Sequence, residues 1–184
     1  MPDNTDHDLL QIAKDAALAA GEAIMRLYDV GDFESYQKAD ESPVTSADYK
    51  ANEIITDILT RMSPDIPILS EETKHASLEE RKTWKRYWLI DPIDGTQEFI
   101  ARSGDFAVNI ALIEDNKPKI GVIFWPPGQS LYYALAGHGA FKDSPEASGP
   151  ISVRKLDDPH NSVVILAISR RQPRERVISK LCAK

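Results

Sequence analysis

The spacing of the apolar residues changes along the chain. Over residues 8–28, and again from about Ser46, apolar residues recur every three or four positions, which predicts two amphipathic helices. In the second half the spacing becomes two, in residues 106–113, 120–125 and 131–136, which is typical of β-strands. Two helices followed by a mainly antiparallel sheet predict an α+β domain built in layers.

The remaining segments are polar or short. Residues 29–43 contain glycine and proline and are predicted to form a loop or a loose hairpin. Residues 74–85 are charged and are predicted to form a loop with one helical turn. Residues 163–168 are predicted to form a strand, and residues from about 174 to the end a short helix. We therefore predict a single domain over residues 1–184.

Charge and cysteine content exclude some classes of protein. The 184 residues carry a net charge of −7, which argues against general nucleic-acid binding because a backbone binder needs an excess of Lys and Arg. The single cysteine, Cys182, allows no internal disulfide and fits a reducing compartment. The N-terminus lacks signal-peptide features, and no apolar run approaches the roughly 20 residues of a membrane span. These features predict a cytoplasmic protein.

Two predicted strands end in acidic residues. Residues 66–69 form an apolar run that leads towards Glu71-Glu72, and residues 87–90 form one that leads directly into Asp91. Each acid alone has an ordinary explanation, since Asp-Gly is usually a turn, Glu-Glu is usually a solvated loop, and Asp48 suits the first turn of a helix. Two strands that bring carboxylates to one sheet edge favour a ligand-binding site.

The segment Asp91-Pro92-Ile93-Asp94-Gly95-Thr96 suits a metal ion and a phosphate. Its proline stiffens the turn, and its glycine lets a ligand approach the backbone closely. Two carboxylates three residues apart suit a hard cation such as Mg²⁺, with the Ile93 carbonyl as a further oxygen ligand. Thr96 is predicted to cap a helix over residues 98–102, so that the N–H groups of Gly95 and Thr96 point towards a phosphate.

These residues carry a family resemblance. The segment from Trp88 to Thr96 resembles the signature of the inositol monophosphatase-like superfamily of Mg²⁺-dependent, lithium-sensitive phosphatases. Residues 38–48, 69–72 and 97–100 resemble, within it, the bacterial 3′(2′),5′-bisphosphate nucleotidases of the CysQ type. The resemblance runs in order from about residue 12 to about residue 169. It implies that the chain forms the N-terminal α+β part of a layered αβαβα sandwich.

The resemblance implies a role for each matching position. The implied metal ligands are four oxygen donors, namely Glu71, Asp91, Asp94 and the Ile93 carbonyl, and Mg²⁺ is the implied cofactor. Asp48 and Thr96 match the pair that orients and activates the attacking water, and Glu71 counts among the catalytic residues. Asp94, Gly95 and Thr96 match the positions that hold the substrate phosphate. Glu72 is expected to be only a neighbour of the site.

The resemblance also implies a reaction. The expected substrate is a small phosphate ester, 3′-phosphoadenosine 5′-phosphate, which is hydrolysed to AMP and phosphate by a metal-activated water in sulfate assimilation. No covalent phospho-enzyme is expected. Inositol monophosphate and fructose 1,6-bisphosphate are the alternative substrates within the superfamily.

The resemblance leaves out one part of the family pattern. Family members are expected to continue into a C-terminal subdomain in which a Trp-Asp motif supplies a further metal ligand. None of the three tryptophans here precedes an aspartate, so we expect that subdomain to be absent. A catalytically inactive chain that binds metal or phosphate is therefore an alternative. Self-association through apolar groups near residues 163–168 is a further expectation.

Overall fold

The structure, a computed structural model, describes residues 4–154. Four helices lie in this range: α1 (Asp6–Val30), α2 (Ser46–Met62), α3 (Leu78–Arg81) and α4 (Thr96–Ile100). Nine strands lie in it: β1 (Ser35–Gln37), β2 (Pro43–Thr45), β3 (Ile68–Ser70), β4 (Arg86–Asp94), β5 (Ala107–Glu114), β6 (Lys117–Trp125), β7 (Ser130–Leu135), β8 (Gly139–Asp143) and β9 (Ser148–Ile151). The strand predicted at residues 163–168 and the helix predicted from about residue 174 lie outside the described residues.

The chain divides into two units, Met1–Ser152 and Val153–Lys184, and all of the elements above belong to the first. The prediction of a single domain over the whole chain stays a prediction. No helix in the described range is both long enough and apolar enough to cross a membrane.

The two long helices begin at capping boxes. Thr5 caps α1 and exchanges hydrogen bonds with Asp8, and Thr45 caps α2 in the same way with Asp48. Helix α1 ends at Gly31, which has a φ of +74°. Their apolar faces are buried and form the core together with the sheet; α1 contributes small residues such as Ala13, Ala16, Ala17 and Ala20. Small residues allow close contact between α1, α2 and the sheet.

Seven strands form one sheet in the order β3-β4-β5-β6-β7-β8-β9. Strands β3 and β4 are parallel, and every other neighbouring pair is antiparallel. Helix α1 packs on β5, β6 and β7, and α2 packs on β4, so both helices cover the same face. On that face Trp88, Ile110 and Leu112 are buried, whereas Leu89 and Ile123 are 43% and 48% exposed. This confirms the α+β layers predicted from the sequence.

Several predicted details differ from the structure. Residues 29–43 include β1, which pairs with β2 in an antiparallel hairpin, the second of the two alternatives predicted. Strand β8 was not predicted, because four of its five residues are only partly buried and show no alternation; it pairs with β7 through the backbone. The helix predicted over residues 98–102 is α4, which begins at Thr96. Its N-cap is Gly95, not Thr96, because Gly95 takes the left-handed conformation that ends β4.

Candidate active site

Strands β3 and β4 deliver acidic residues to the same end of the sheet. Because they are parallel neighbours, their carboxyl ends meet, with Ser70 beside Ile90 in the register. The N–H of Glu71 continues this pairing and donates to the carbonyl of Ile90 at 3.1 Å. Glu71 is therefore placed next to Asp91, the residue that follows Ile90.

A β-bulge arranges the two aspartates of β4. The register pairs Asp91 with Asn109 and Asp94 with Ala107, so three steps along β4 match two steps along β5. Side chains three apart on a regular strand point to opposite faces, and an extra residue removes this alternation. Asp91 and Asp94 accordingly line one cleft of about 190 Å³, together with Glu71 and the Ile93-to-Thr96 turn.

Asp48 lies beneath this cleft and is fully buried. Its Oδ2 accepts hydrogen bonds from the backbone N–H and the hydroxyl of Thr45, at 2.8 and 2.6 Å. Its Oδ1 accepts one from the hydroxyl of Thr96 at 3.0 Å. Burial raises the pKa of Asp48, and the hydrogen bonds from Thr45 and Thr96 oppose that rise. The cap of α2 thus holds the buried carboxylate of Asp48 directly against Thr96, the first residue of α4.

Thr96 and Gly95 form the turn between β4 and α4. The Thr96 hydroxyl lies 3.2 Å from the Ile93 carbonyl as well as 3.0 Å from Asp48. Gly95 has a φ of +96°, and a Cβ there would lie 2.8 Å from the carbonyl oxygen of Asp105. Both facts require glycine at this position. The turn therefore brings bare backbone to the wall of the cleft, although α4 is only five residues long.

Lys38 lies between two of the glutamates. It follows β1, and its Nζ contacts Glu71 Oε1 and Glu72 Oε1, each at 2.7 Å. The Glu72 side chain is 4% exposed, whereas the Glu71 side chain is 50% exposed. Burial raises the pKa of Glu72, against the effect of Lys38. Burial alone would lower the pKa of Lys38, but hydrogen bonds to the two glutamates raise it instead.

Asp91 has the most perturbed carboxyl of the cluster. Burial, followed by the charges of Glu71, Asp94, Glu72 and Asp48, raises its pKa to about 7. Its Oδ1 is buried and has no hydrogen-bond partner. A buried carboxylate oxygen without a donor is costly unless a cation reaches it.

The donor set fits a hard divalent cation. Carboxylate and carbonyl oxygens are the ligands that Mg²⁺ and Ca²⁺ take, and the unpartnered Asp91 Oδ1 provides an oxygen that no protein group uses. Within the described range, however, no three His, Cys, Asp or Glu side chains converge as a ready-made metal site. The ammonium of Lys38 takes one oxygen of Glu71.

The structure also places residues that the sequence interpretation missed. Asn109 lies opposite Asp91 on β5 and donates from Nδ2 to Asp94 Oδ2 at 3.1 Å. The sequence signal that could have identified Asn109 is an asparagine in the middle of an otherwise apolar predicted strand. Lys38 entered the prediction only within the family resemblance. Glu72, expected to be a mere neighbour, holds Lys38 through a buried carboxylate.

A second, larger pocket adjoins the cleft. It has a volume of about 530 Å³ and lies on the sheet face opposite the helices, where it is lined by Leu69, Leu89, Ala111 and Ile123. Glu71 and Asp91 belong to the linings of both pockets. The acidic cluster thus lies where a polar cleft meets an apolar surface.

Comparison with known proteins identifies relatives of this chain. The model of the inositol monophosphatase family matches residues 5–183. A 3′(2′),5′-bisphosphate nucleotidase CysQ of Salmonella typhimurium is 48% identical over 141 residues, which cover 76% of this chain and 56% of that protein. The chain spans about half the length of the curated relatives it matches, since a CysQ of Aggregatibacter actinomycetemcomitans is covered to 52%.

Solved structures give the same result. The crystal structure of CysQ from Bacteroides thetaiotaomicron, described as a bacterial member of the inositol monophosphatase family, matches with a TM-score of 0.75 and 37% identity, over 94% of this chain and 67% of that one. An IMPase from Thermotoga maritima matches with a TM-score of 0.65 and 29% identity, over 74% of this chain and 51% of that one. The resemblance predicted from the sequence is confirmed, and the chain belongs to the inositol monophosphatase family.

Proposed function

We propose that this chain carries the cation- and phosphate-binding part of a phosphomonoesterase, which removes the 3′-phosphate of 3′-phosphoadenosine 5′-phosphate to give AMP and phosphate. The observation that carries the proposal is the hydrogen bond between Thr96 and buried Asp48, next to the acidic cluster of Glu71, Asp91 and Asp94. A hydroxyl held by a buried carboxylate at the rim of a cation site is the arrangement needed to activate a water molecule. The 48% identity to a bisphosphate nucleotidase supports this substrate over the alternatives.

Three carboxylates and one carbonyl would hold the cation. We assign Glu71, Asp91, Asp94 and the Ile93 carbonyl to this role, with Mg²⁺ as the cation, because all four donors are oxygen atoms around one cleft. When bound, Mg²⁺ supplies positive charge that polarises the phosphate and makes the attacking water more acidic. Asn109 holds the Asp94 carboxylate through one oxygen, which orients the other.

Thr96 and Asp48 would handle the proton of the attacking water. The Thr96 hydroxyl gives its hydrogen to Asp48 Oδ1, so its lone pairs are free to accept a hydrogen bond from water. The water oxygen forms a new bond to phosphorus, the ester P–O bond breaks, and the leaving 3′-oxygen takes a proton from solvent. The water proton passes through Thr96 to Asp48, whose raised pKa suits it to accept. Bare backbone at Gly95 and Thr96 would face the phosphate.

A phosphate-release assay tests this proposal. The purified chain and Mg²⁺ are incubated with one substrate at a time: 3′-phosphoadenosine 5′-phosphate, inositol 1-phosphate or fructose 1,6-bisphosphate. The products of each reaction are separated by chromatography. We expect Mg²⁺-dependent release of AMP from the first substrate at a low rate, and no release from the Asp91→Asn or Thr96→Val variants. Faster release from either of the other substrates would contradict the nucleotidase assignment.

A second candidate is a chain that binds the cation and phosphate without turnover. It is favoured by the lack of a ready-made three-ligand metal site among residues 4–154 and by the short coverage of the relatives. Calorimetric titration with Mg²⁺ and inorganic phosphate distinguishes the two candidates. Binding of both ions without any substrate hydrolysis would support this second function over the first.

A further inference from the structure

The two contacts of Lys38 are unequal. Its ammonium lies 2.7 Å from one oxygen of each glutamate, but the Glu72 side chain is 4% exposed and the Glu71 side chain is 50% exposed. A buried ion pair is difficult to separate, because one charge would remain unpaired in a poorly solvated place. An exposed ion pair has little net strength and exchanges readily. The contact with Glu72 is therefore fixed, and the contact with Glu71 is exchangeable.

The backbone at Lys38 is held by a closed turn. Its N–H donates to the Ser42 carbonyl at 2.9 Å, and its carbonyl accepts from the Glu41 N–H at 3.0 Å. Asp40 closes the turn further by accepting from the Ser42 N–H and hydroxyl, at 3.1 and 2.6 Å. Lys38 is thus held at its backbone by this turn and at its ammonium by buried Glu72.

Glu71 lies between the Lys38 ammonium and Asp91. One of its oxygens contacts Lys38, while its N–H pairs with Ile90 and places it beside Asp91. Asp91 has a buried oxygen without a donor and lines the same cleft as Glu71. A divalent cation that reaches this oxygen must share Glu71 with the Lys38 ammonium, and two positive charges on one carboxylate repel each other.

We propose that Lys38 is a positioning residue that competes with the divalent cation for Glu71 while remaining bound to buried Glu72. This inference rests on the proposed function, because it takes Glu71 as a cation ligand. Lys38 thereby holds Glu71 at the mouth of the cleft and limits how tightly the cation binds. Weak cation binding allows exchange after each turnover and makes the site sensitive to the cation concentration.

Calorimetric titration of the full chain with Mn²⁺ alone, or with Mg²⁺ alone, tests the inference. We expect Lys38→Gln to bind the cation about two- to fivefold more tightly than wild type, which is the size expected for loss of a partly exposed ion pair. The matched control is Lys117→Gln, which makes the same charge change at the first residue of β6, at the other end of the sheet. It should change the affinity less than twofold.

A further pair of variants covers the case in which Lys38→Gln does not fold, since that change leaves Glu72 unpaired. Lys38→Gln with Glu72→Gln removes both charges of the buried pair, and it should bind the cation several-fold more tightly than Glu72→Gln alone. Loss of structure cannot tighten cation binding, so a gain in affinity separates competition from a merely structural role.

The outcomes separate this inference from the proposed function. Cation binding that is equal in folded Lys38→Gln and Lys117→Gln, or weaker in folded Lys38→Gln, would overturn the competition and leave the proposed cation site intact. Absence of cation binding in wild type and in every variant would overturn both.

Discussion

Replacing Asp91 with asparagine should stabilise the cation-free chain at pH 8 much more than at pH 5. Burial and four neighbouring carboxylates raise the pKa of Asp91 to about 7, from 3.8 in the unfolded chain. A raised pKa in the folded state means that folding favours the protonated acid. Its contribution to stability is therefore full below about pH 3.8 and is lost as the pH rises through about 7. Asparagine keeps the shape and removes the charge.

The size of the effect follows from these two pKa values. They differ by about three pH units, and each unit corresponds to about 1.4 kcal/mol, so the charged form of Asp91 costs about 4 kcal/mol at pH 8. About two of these three pH units lie above pH 5, between pH 5 and the folded-state pKa near 7. Lowering the pH from 8 to 5 should therefore recover about 2–3 kcal/mol in wild type and nothing from this position in Asp91→Asn.

Urea unfolding in the presence of a chelator, at pH 5, 6, 7 and 8, measures this difference. The control is Asp65→Asn, which makes the same charge change at an exposed residue outside the cluster. We expect the free energies of unfolding of wild type and Asp91→Asn to diverge as the pH rises, while those of wild type and Asp65→Asn stay parallel. Parallel curves for Asp91→Asn would refute the conclusion that this carboxyl is buried among other charges.

Three other changes probe the same cleft. Gly95→Ala should cost at least about 2 kcal/mol more than Gly137→Ala in urea unfolding, because both glycines have a positive φ but only at Gly95 would the new Cβ meet the backbone. Thr96→Val should lower the free energy of unfolding by about 1–2 kcal/mol and abolish phosphate release, while Thr96→Ser, which keeps the hydroxyl next to Asp48, should retain most of both. Mg²⁺ at 100 times its dissociation constant should stabilise wild type by about 2.7 kcal/mol in thermal unfolding, and Asp91→Asn should respond weakly, since it lacks the unpartnered oxygen.

Much of the fold followed from local patterns. The helical spacing of apolar residues predicted α1 and α2, and the start of α2 predicted near Ser46 agrees with the structure. Alternating residues predicted β5, β6 and β7, because each has one face on the core. Strand β8 has no such alternation, so local pattern could not reveal it.

Contacts between distant segments were not predictable in the same way. Lys38 reaches Glu71 across 33 positions, and only the β1–β2 hairpin decides which carboxylates it meets. The partnership of Asn109 and Asp94 depends on the bulge in β4, which no spacing rule encodes. A sequence can therefore name the residue types of such a site, while the register of the sheet decides how they pair.

The pairing pattern distinguishes Asp91 from the other acids of the site. Asp48 is satisfied by Thr45 and Thr96, Glu72 by Lys38, and Asp94 by Asn109. Each of these carboxylates has a donor that stabilises its negative charge in the folded chain. Asp91 instead has a buried oxygen with no donor and a pKa near 7. Because each of these neighbours has a donor and this carboxylate oxygen has none, Asp91 is the position where an added divalent cation gains most, and its replacement should weaken cation binding more than replacement of any of the other three.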